Sequence, residues 1–238
     1  LAASGVARGA KVTVLEAQPR ILMRAVPPEI AAVVDTRHRG AGVNLRVGVG
    51  IAERTETGVL CTDGTTIAAD IVVAGIGAVP AIRLAEASGL AIDNGIACDS
   101  RLATSDPGIF AAGDCCSFPH PLYGDRRIRL EAWRAAQDQA QIAAANMLGG
   151  SRVYDAVPWF WSDQYDLTLQ IAGLPGEAVT SVARQLPEPS KLLFHLAADG
   201  RLVAASGIGK GNAIARDIRL AEMLIGKRAV IPAEQLAD

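Results

Sequence analysis

The sequence predicts an α/β fold followed by a separate α+β unit, and three observations carry that expectation. Short β-branched runs alternate with helix-like runs over the first eighty residues, the pattern of strands crossed over by helices. A continuous apolar run, Asp70 to Pro80, ends in glycines as a strand buried on both faces does. Beyond residue 150, strand-like runs follow one another and a single long helix comes after them. These changes of pattern place expected boundaries at residues 1–80, 81–150 and 151–238.

The elements follow in order. LAASGVARGA reads as the second half of a helix ending near Gly9, so the chain is expected to have lost what preceded Leu1. Lys11 to Ala17 is a short strand with a terminal acid. Pro27-Pro28-Glu29 opens a helix, because proline suits the first turn and glutamate complements the helix dipole. Ile30, Val33 and Val34 recur at helical spacing and supply its apolar stripe. Val43 to Val47 is the next strand, and Asp63-Gly64 turns a hairpin before the apolar run at Asp70. A short helix (IRLAEASGL) and a turn at Asp93-Asn94-Gly95 lead to two short strands around Ser105-Asp106-Pro107-Gly108. Glu131 to Leu148 is the strongest helix, stopped by Gly149-Gly150. Strands in LTLQIAGL, VTSVAR, KLLFHLA and LVAASGIG, a turn at Asp199-Gly200 and a helix from Asn212 to Ile225 complete the chain.

Composition excludes more than it selects. Half the residues are apolar and the formal net charge is -2, which offers no electrostatic case for nucleic acid or an anionic membrane. No apolar run is long enough to span a bilayer, so the chain reads as a soluble, cytoplasmic protein. Cys61, Cys98, Cys115 and Cys116 lack metal spacing and a C-x-x-C pair, and are expected to be reduced, partly buried thiols. His38, His120 and His195 are scattered, without ligand spacing.

Several residues carry chemistry. Glu16 ends the second strand of a Rossmann-like half, where an acid accepts both ribose hydroxyls of adenosine; the plain alternative is a solvated strand end. Arg24 either reaches a cofactor phosphate or faces water. Glycines at the end of the Asp70 run, around Ile76 and Gly77, let backbone approach a dinucleotide or simply make a tight strand exit. Gly113-Asp114 ends a predicted strand and offers a carboxylate to a sugar-alcohol hydroxyl. The amino terminus of the helix at Glu131, Ala132 and Trp133 leaves unpaired N–H groups and partial positive charge. Gln137 and Gln139 read as helix surface. Trp159, Phe160 and Trp161 hold much of the chain's small aromatic stock and read, on the residues alone, as a plug joining two domains. Arg126, Arg127, Arg129 and Arg134 form a solvated face or attract an acidic protein.

TSDPGIFAAGDC, Thr104 to Cys115, resembles the second FAD-binding motif of the FAD-dependent pyridine nucleotide oxidoreductases. VTVLEAxPRIL is similar to that family's NAD strand, VVAGIGAVPA to the exit from its NAD domain, and RLEAWRAAQDQA to its flavin-covering helix. PWFWSDQY, Pro158 to Tyr165, is similar to the opening of the carboxy-terminal domain in ferredoxin reductases of the putidaredoxin and aromatic-ring dioxygenase type.

The resemblance implies a partial NAD domain at 1–80, part of an FAD domain at 81–150 and a reductase carboxy-terminal domain at 151–238. It implies FAD at Gly113, Asp114, Glu131, Ala132, Trp133 and Trp161, with Trp133 as the catalytic residue beside flavin and nicotinamide. It implies NAD at Glu16, Arg24, Ile76 and Gly77. It also implies a [2Fe-2S] ferredoxin partner serving an oxygenase, and leaves the oligomeric state open. The family's first glycine-rich segments fall upstream of Leu1, so this chain alone is expected to bind FAD weakly and to lack reductase activity. His195 has Gly200 five residues later where disulfide reductases carry Glu, which argues against them. NADH oxidases, apoptosis-inducing-factor-like flavoproteins and a non-catalytic remnant on the same fold remain the alternatives.

Overall fold

The computed structural model describes residues 1–237. Helix α1 (Ala2–Ala7) stops before Gly9, whose positive φ turns the chain out of the helix. Strands β1 (Thr13–Glu16) and β2 (Asn44–Val47) pair in parallel, with Glu16 opposite Val47, and α2 (Pro28–Gly40) makes the crossover between them. Pro28 and Glu29 occupy the first turn of α2, and Arg37, His38 and Arg39 the last, so both ends complement the dipole. Ile30, Ala31 and Val34 bury one face of α2 against Leu45, and that core continues into Leu169, Ile171 and Ile208 near the other end of the sequence. A three-stranded antiparallel sheet follows: β3 (Ile51–Thr55), β4 (Gly58–Cys61) and β5 (Thr66–Ala68). Asp63 closes the β4–β5 turn by accepting from the Thr65 N–H and hydroxyl at 3.0 and 2.7 Å, which matches the expected hairpin.

The apolar run Asp70–Pro80 departs from expectation: it is not a strand and it is not buried. Ile71, Ile76 and Val79 are 81%, 92% and 91% exposed. A strand buried on both faces needs hydrogen-bonded neighbours and helices on each side. The β1–β2 sheet has two strands, and no strand among the described residues pairs with this segment.

After α3 (Arg83–Ala87), Asn94 and Gly95 turn the chain through positive φ into β6 (Ile96–Ala97). Strand β6 pairs in parallel with β7 (Cys116–His120), which pairs antiparallel with β8 (Arg126–Arg129). Of the two strands expected around Ser105–Gly108, the first shrinks to β6 and the second to one bridge between Ala103 and Phe110. Gly113-Asp114 therefore does not end a strand; it lies in the turn that leads into β7. Helix α4 (Trp133–Met147) begins two residues later than the sequence implied and gives way at Gly149, again at positive φ. Its inner face joins Cys98, Leu102, Phe118, Ile128 and Tyr154 in a second core.

The last part is one antiparallel sheet ordered β11-β12-β13-β10-β9. Its strands are β9 (Trp159–Gln164), β10 (Leu167–Gly173), β11 (Thr180–Arg184), β12 (Lys191–Leu196) and β13 (Leu202–Lys210). Helix α5 (Ala215–Gly226) covers it, with Ile214, Ile218 and Ile225 packed on Leu192, Phe194 and Leu202, and α6 (Ala233–Ala237) adds Leu236. All four cysteines are free, three buried and Cys115 half-buried.

Candidate active site

The Gly113-Asp114 turn is held by its backbone. The Gly113 N–H donates to Oε1 of Gln139 at 2.7 Å, its carbonyl accepts from the Cys116 N–H at 2.9 Å, and the Asp114 carbonyl accepts from Arg129 at 3.0 Å. Gly113 has a φ of 83°, and a Cβ there would meet only Ala136 at an ordinary 3.5 Å. Backbone conformation, more than space, calls for glycine at this position. The exposed Asp114 carboxylate makes no hydrogen bond or ion pair among the described residues. Gln139 corrects the sequence reading: it is fully buried and carries part of the turn, whereas Gln137 is exposed as expected. One cue was present, since Gln139 is four residues from both Ala135 and Ala143 on the buried stripe of α4.

The amino end of α4 lies open. Its N-cap is Ala132, in extended conformation with no side chain to accept from the first turn, so the leading N–H groups are uncapped. Trp133, at the first helical position, is 67% exposed and meets Trp161 of β9 edge to face with centroids 6.1 Å apart. Phe160 is exposed, and Trp159 is half-buried with the Arg134 guanidinium 5.3 Å from its ring centroid. The aromatic run is therefore partly packed and partly surface.

Glu131, expected at FAD, meets Arg24, expected at NAD. One carboxylate oxygen accepts from Arg24 at 2.5 Å and the other from Arg129 at 2.6 Å. The hydrogen bond from Arg24, ahead of that from Arg129, holds the Glu131 carboxyl below its usual range, and the Arg24 guanidinium is shifted up by the same contact. Gly113, Asp114, Arg129, Glu131, Ala132, Trp133, Trp161 and Arg24 thus form one connected group. Glu16 stands at the carboxyl end of β1, where its Oε1 accepts from the Gln18 N–H at 2.8 Å. Ile76 and Gly77 lie on the exposed segment. These three make no hydrogen bond, ion pair or ring contact with the connected group among the described residues.

Arg126 and Arg127 are exposed to solvent, but none of the four arginines is a free cation. Arg126 pairs with Glu177, Arg127 with Asp93 at 3.3 Å, and Arg134 with Glu222 of α5 at 2.5 Å. Arg127 also donates to the carbonyls of Cys98 and Ser117. A cavity of about 500 Å³ between α2 and β10 lies apart from this group, and its Arg37 and Lys210 both pair with Asp166, at 2.9 and 3.2 Å. Among the described residues no cluster of His, Cys, Asp or Glu is placed to hold a metal, and no helix is long and apolar enough to cross a membrane.

Residues 1–140, more than half the chain, match the pyridine nucleotide-disulphide oxidoreductase family. The chain belongs to that family. Residues 159–238 match the reductase C-terminal domain. Among family members, the chain is 41% identical to the ferredoxin–NAD(+) reductase component of the anthranilate 1,2-dioxygenase system of Burkholderia cepacia, over 97% of this chain and 57% of that protein. It is 38% identical to putidaredoxin reductase of Pseudomonas putida, over 88% of this chain and 51% of that protein. The crystal structure of a ferredoxin reductase from Rhodopseudomonas palustris superposes with a TM-score of 0.92 at 37% identity, covering all of this chain and 59% of the other. The reductase in a covalent putidaredoxin reductase–putidaredoxin complex gives 0.91 at 35%, covering all of this chain and 57% of the other. The chain spans between half and three-fifths of the length of these relatives.

Proposed function

We propose that this chain is part of a cytoplasmic, NADH-dependent, FAD-containing ferredoxin reductase that passes electrons to a [2Fe-2S] ferredoxin serving an oxygenase. One observation carries the reading: a free carboxylate on a braced glycine turn lies in the same connected group as the uncapped end of α4 and the Trp133–Trp161 pair. Those residues fit a flavin. Asp114 offers oxygens to the hydroxyls of its sugar-alcohol chain, and the α4 N–H groups offer partial positive charge to its pyrimidine end. FAD, when bound, supplies the conversion between hydride transfer from NADH and single-electron delivery.

The chain's own residues supply binding, orientation and access. Glu16 accepts from the adenosine ribose hydroxyls of NADH and repels the extra phosphate of NADPH. Ile76 and Gly77 bring backbone close to the nicotinamide half, and Arg24 exchanges Glu131 for a cofactor phosphate. Trp133 and Trp161 shield the reacting face from water, and exposed Phe160 and Trp161 offer a surface to the ferredoxin. The domain divisions 1–80, 81–150 and 151–238 belong to the same reading, with the apolar run at Asp70–Pro80 completing its sheet in the longer polypeptide.

The test is a visible absorption spectrum of the chain joined to its native upstream sequence, before and after anaerobic NADH. A flavin spectrum that bleaches, then recovers on adding an oxidised [2Fe-2S] ferredoxin, is the expected result. A colourless folded protein overturns the reading. Recovery with oxygen as fast as with ferredoxin transfers it to an NADH oxidase.

A further inference from the structure

The buried amide of Gln139 is not explained by packing. It belongs to the inner stripe of α4, where its neighbours at helical spacing are Ala135 and Ala143, and it is fully buried. An amide removed from water is unfavourable unless both its carbonyl and its NH₂ find partners. Here the carbonyl accepts from the Gly113 N–H at 2.7 Å, while the NH₂ faces the Tyr154 hydroxyl without closing a hydrogen bond of good geometry. An apolar side chain of similar size fills the space without stranding a donor. What glutamine adds is the acceptor.

That acceptor meets a particular need. Gly113 is held at a φ of 83°, in a residue with no side chain to restrict it. The bonds from Cys116 and Arg129 hold the Gly113 and Asp114 carbonyls, so without Gln139 the Gly113 N–H is buried unpaired and that side of the turn is free to rotate. Asp114 is the next residue, and its carboxylate is the group the turn presents. Gln139 also shares a helix with Trp133, six residues earlier, which places the two about 9 Å apart along a rigid axis. We propose that Gln139 is a positioning residue: its buried carbonyl fixes the Gly113-Asp114 turn, sets the aim of the Asp114 carboxylate, and holds that aim in register with the amino end of α4. This rests on reading Asp114 as a flavin ligand.

The experiment is a fluorescence titration of FAD into the deflavinated full-length protein. It compares the wild type with Gln139→Leu, Asp114→Ala and the double variant Gln139→Leu/Asp114→Ala. Asp114→Ala and Gln139→Leu each weaken FAD binding by roughly tenfold or more, as loss of one well-placed polar contact does. The double variant binds no more weakly than Asp114→Ala alone, because Gln139 acts through Asp114. Additive losses overturn the inference. Wild-type affinity in Asp114→Ala removes the flavin-ligand reading itself and the inference with it. Loss in Asp114→Ala with none in Gln139→Leu removes the inference alone. Hydrogen exchange in the unmutated protein checks the bond without any variant: the Gly113 amide is strongly protected, and solvent-like exchange there refutes the proposal.

Discussion

Asp114 and His195 show how environment assigns work to single residues. Asp114 lies on a turn whose carbonyls and glycine N–H are occupied, while its carboxylate is exposed and unpartnered. Asp114→Asn in the flavin-loaded full-length protein is therefore expected to leave folding unchanged by circular dichroism and to weaken FAD binding by about tenfold, the loss of one charge-assisted bond. Affinity equal to wild type removes Asp114 from the site. His195 is buried, with Nδ1 2.8 Å from the Ser181 hydroxyl and Nε2 3.0 Å from that of Ser206. The neutral ring satisfies both contacts, donating through one nitrogen and accepting through the other. Burial pushes its pKa down to about 4, below the roughly 6.5 of an unfolded histidine. The stability this residue contributes is complete above about pH 6.5 and is lost as pH falls toward about 4, with about 2 kcal/mol gone by about pH 5. His38 and His120 are shifted down by burial in the same direction. The comparison is therefore between wild type and His195→Gln in urea unfolding at about pH 7.5 and about pH 5; equal pH dependence in the two proteins excludes His195 as a source.

At the scale of elements, the same rules gave different results according to whether an element's partners are present. Helices α2 and α5 bury their apolar stripes, and their sequence patterns matched. The run Asp70–Pro80 has the pattern of a central strand and remains exposed, because a strand is stabilised by neighbours and no described strand pairs with it. Its backbone amides are expected to exchange within seconds in the isolated chain and to become protected in the longer polypeptide, as hydrogen exchange followed by mass spectrometry would show. Fast exchange in both means the run is a surface loop. Gly173, at the end of β10, has a φ of 79°, and a Cβ there would sit 2.2 Å from the Val203 carbonyl oxygen of β13. Gly173→Ala must therefore displace backbone, at a cost of about 3 kcal/mol read from the denaturant midpoint.

Across the whole molecule, α2 shares its core with β10, β12 and β13, and Arg24 reaches Glu131 across 107 residues, so the expected domain limits are not limits of packing. That arrangement separates nucleotide from flavin effects. Glu16→Ala in the full-length protein is expected to raise the KM for NADH by about tenfold, the loss of a charged hydrogen bond, while FAD binding stays at the wild-type level. Equal losses of both point to misfolding. The sequence by itself determined the α/β class, the crossover helix, the carboxy-terminal sheet and the Gly113-Asp114 motif, because periodicity, helix ends and glycine turns are local consequences of residue order. It also carried Trp161 as a candidate through the aromatic run Trp159–Trp161, and Trp133 through the family resemblance of its helix. Only the tertiary structure decided that Gln139 is buried under the motif, that Glu131 and Arg24 are partners, that the arginines are spent in ion pairs, and that Asp70–Pro80 stays uncovered. Each of these depends on which groups meet across long separations, and the energy of a polar or apolar side chain is set by that company.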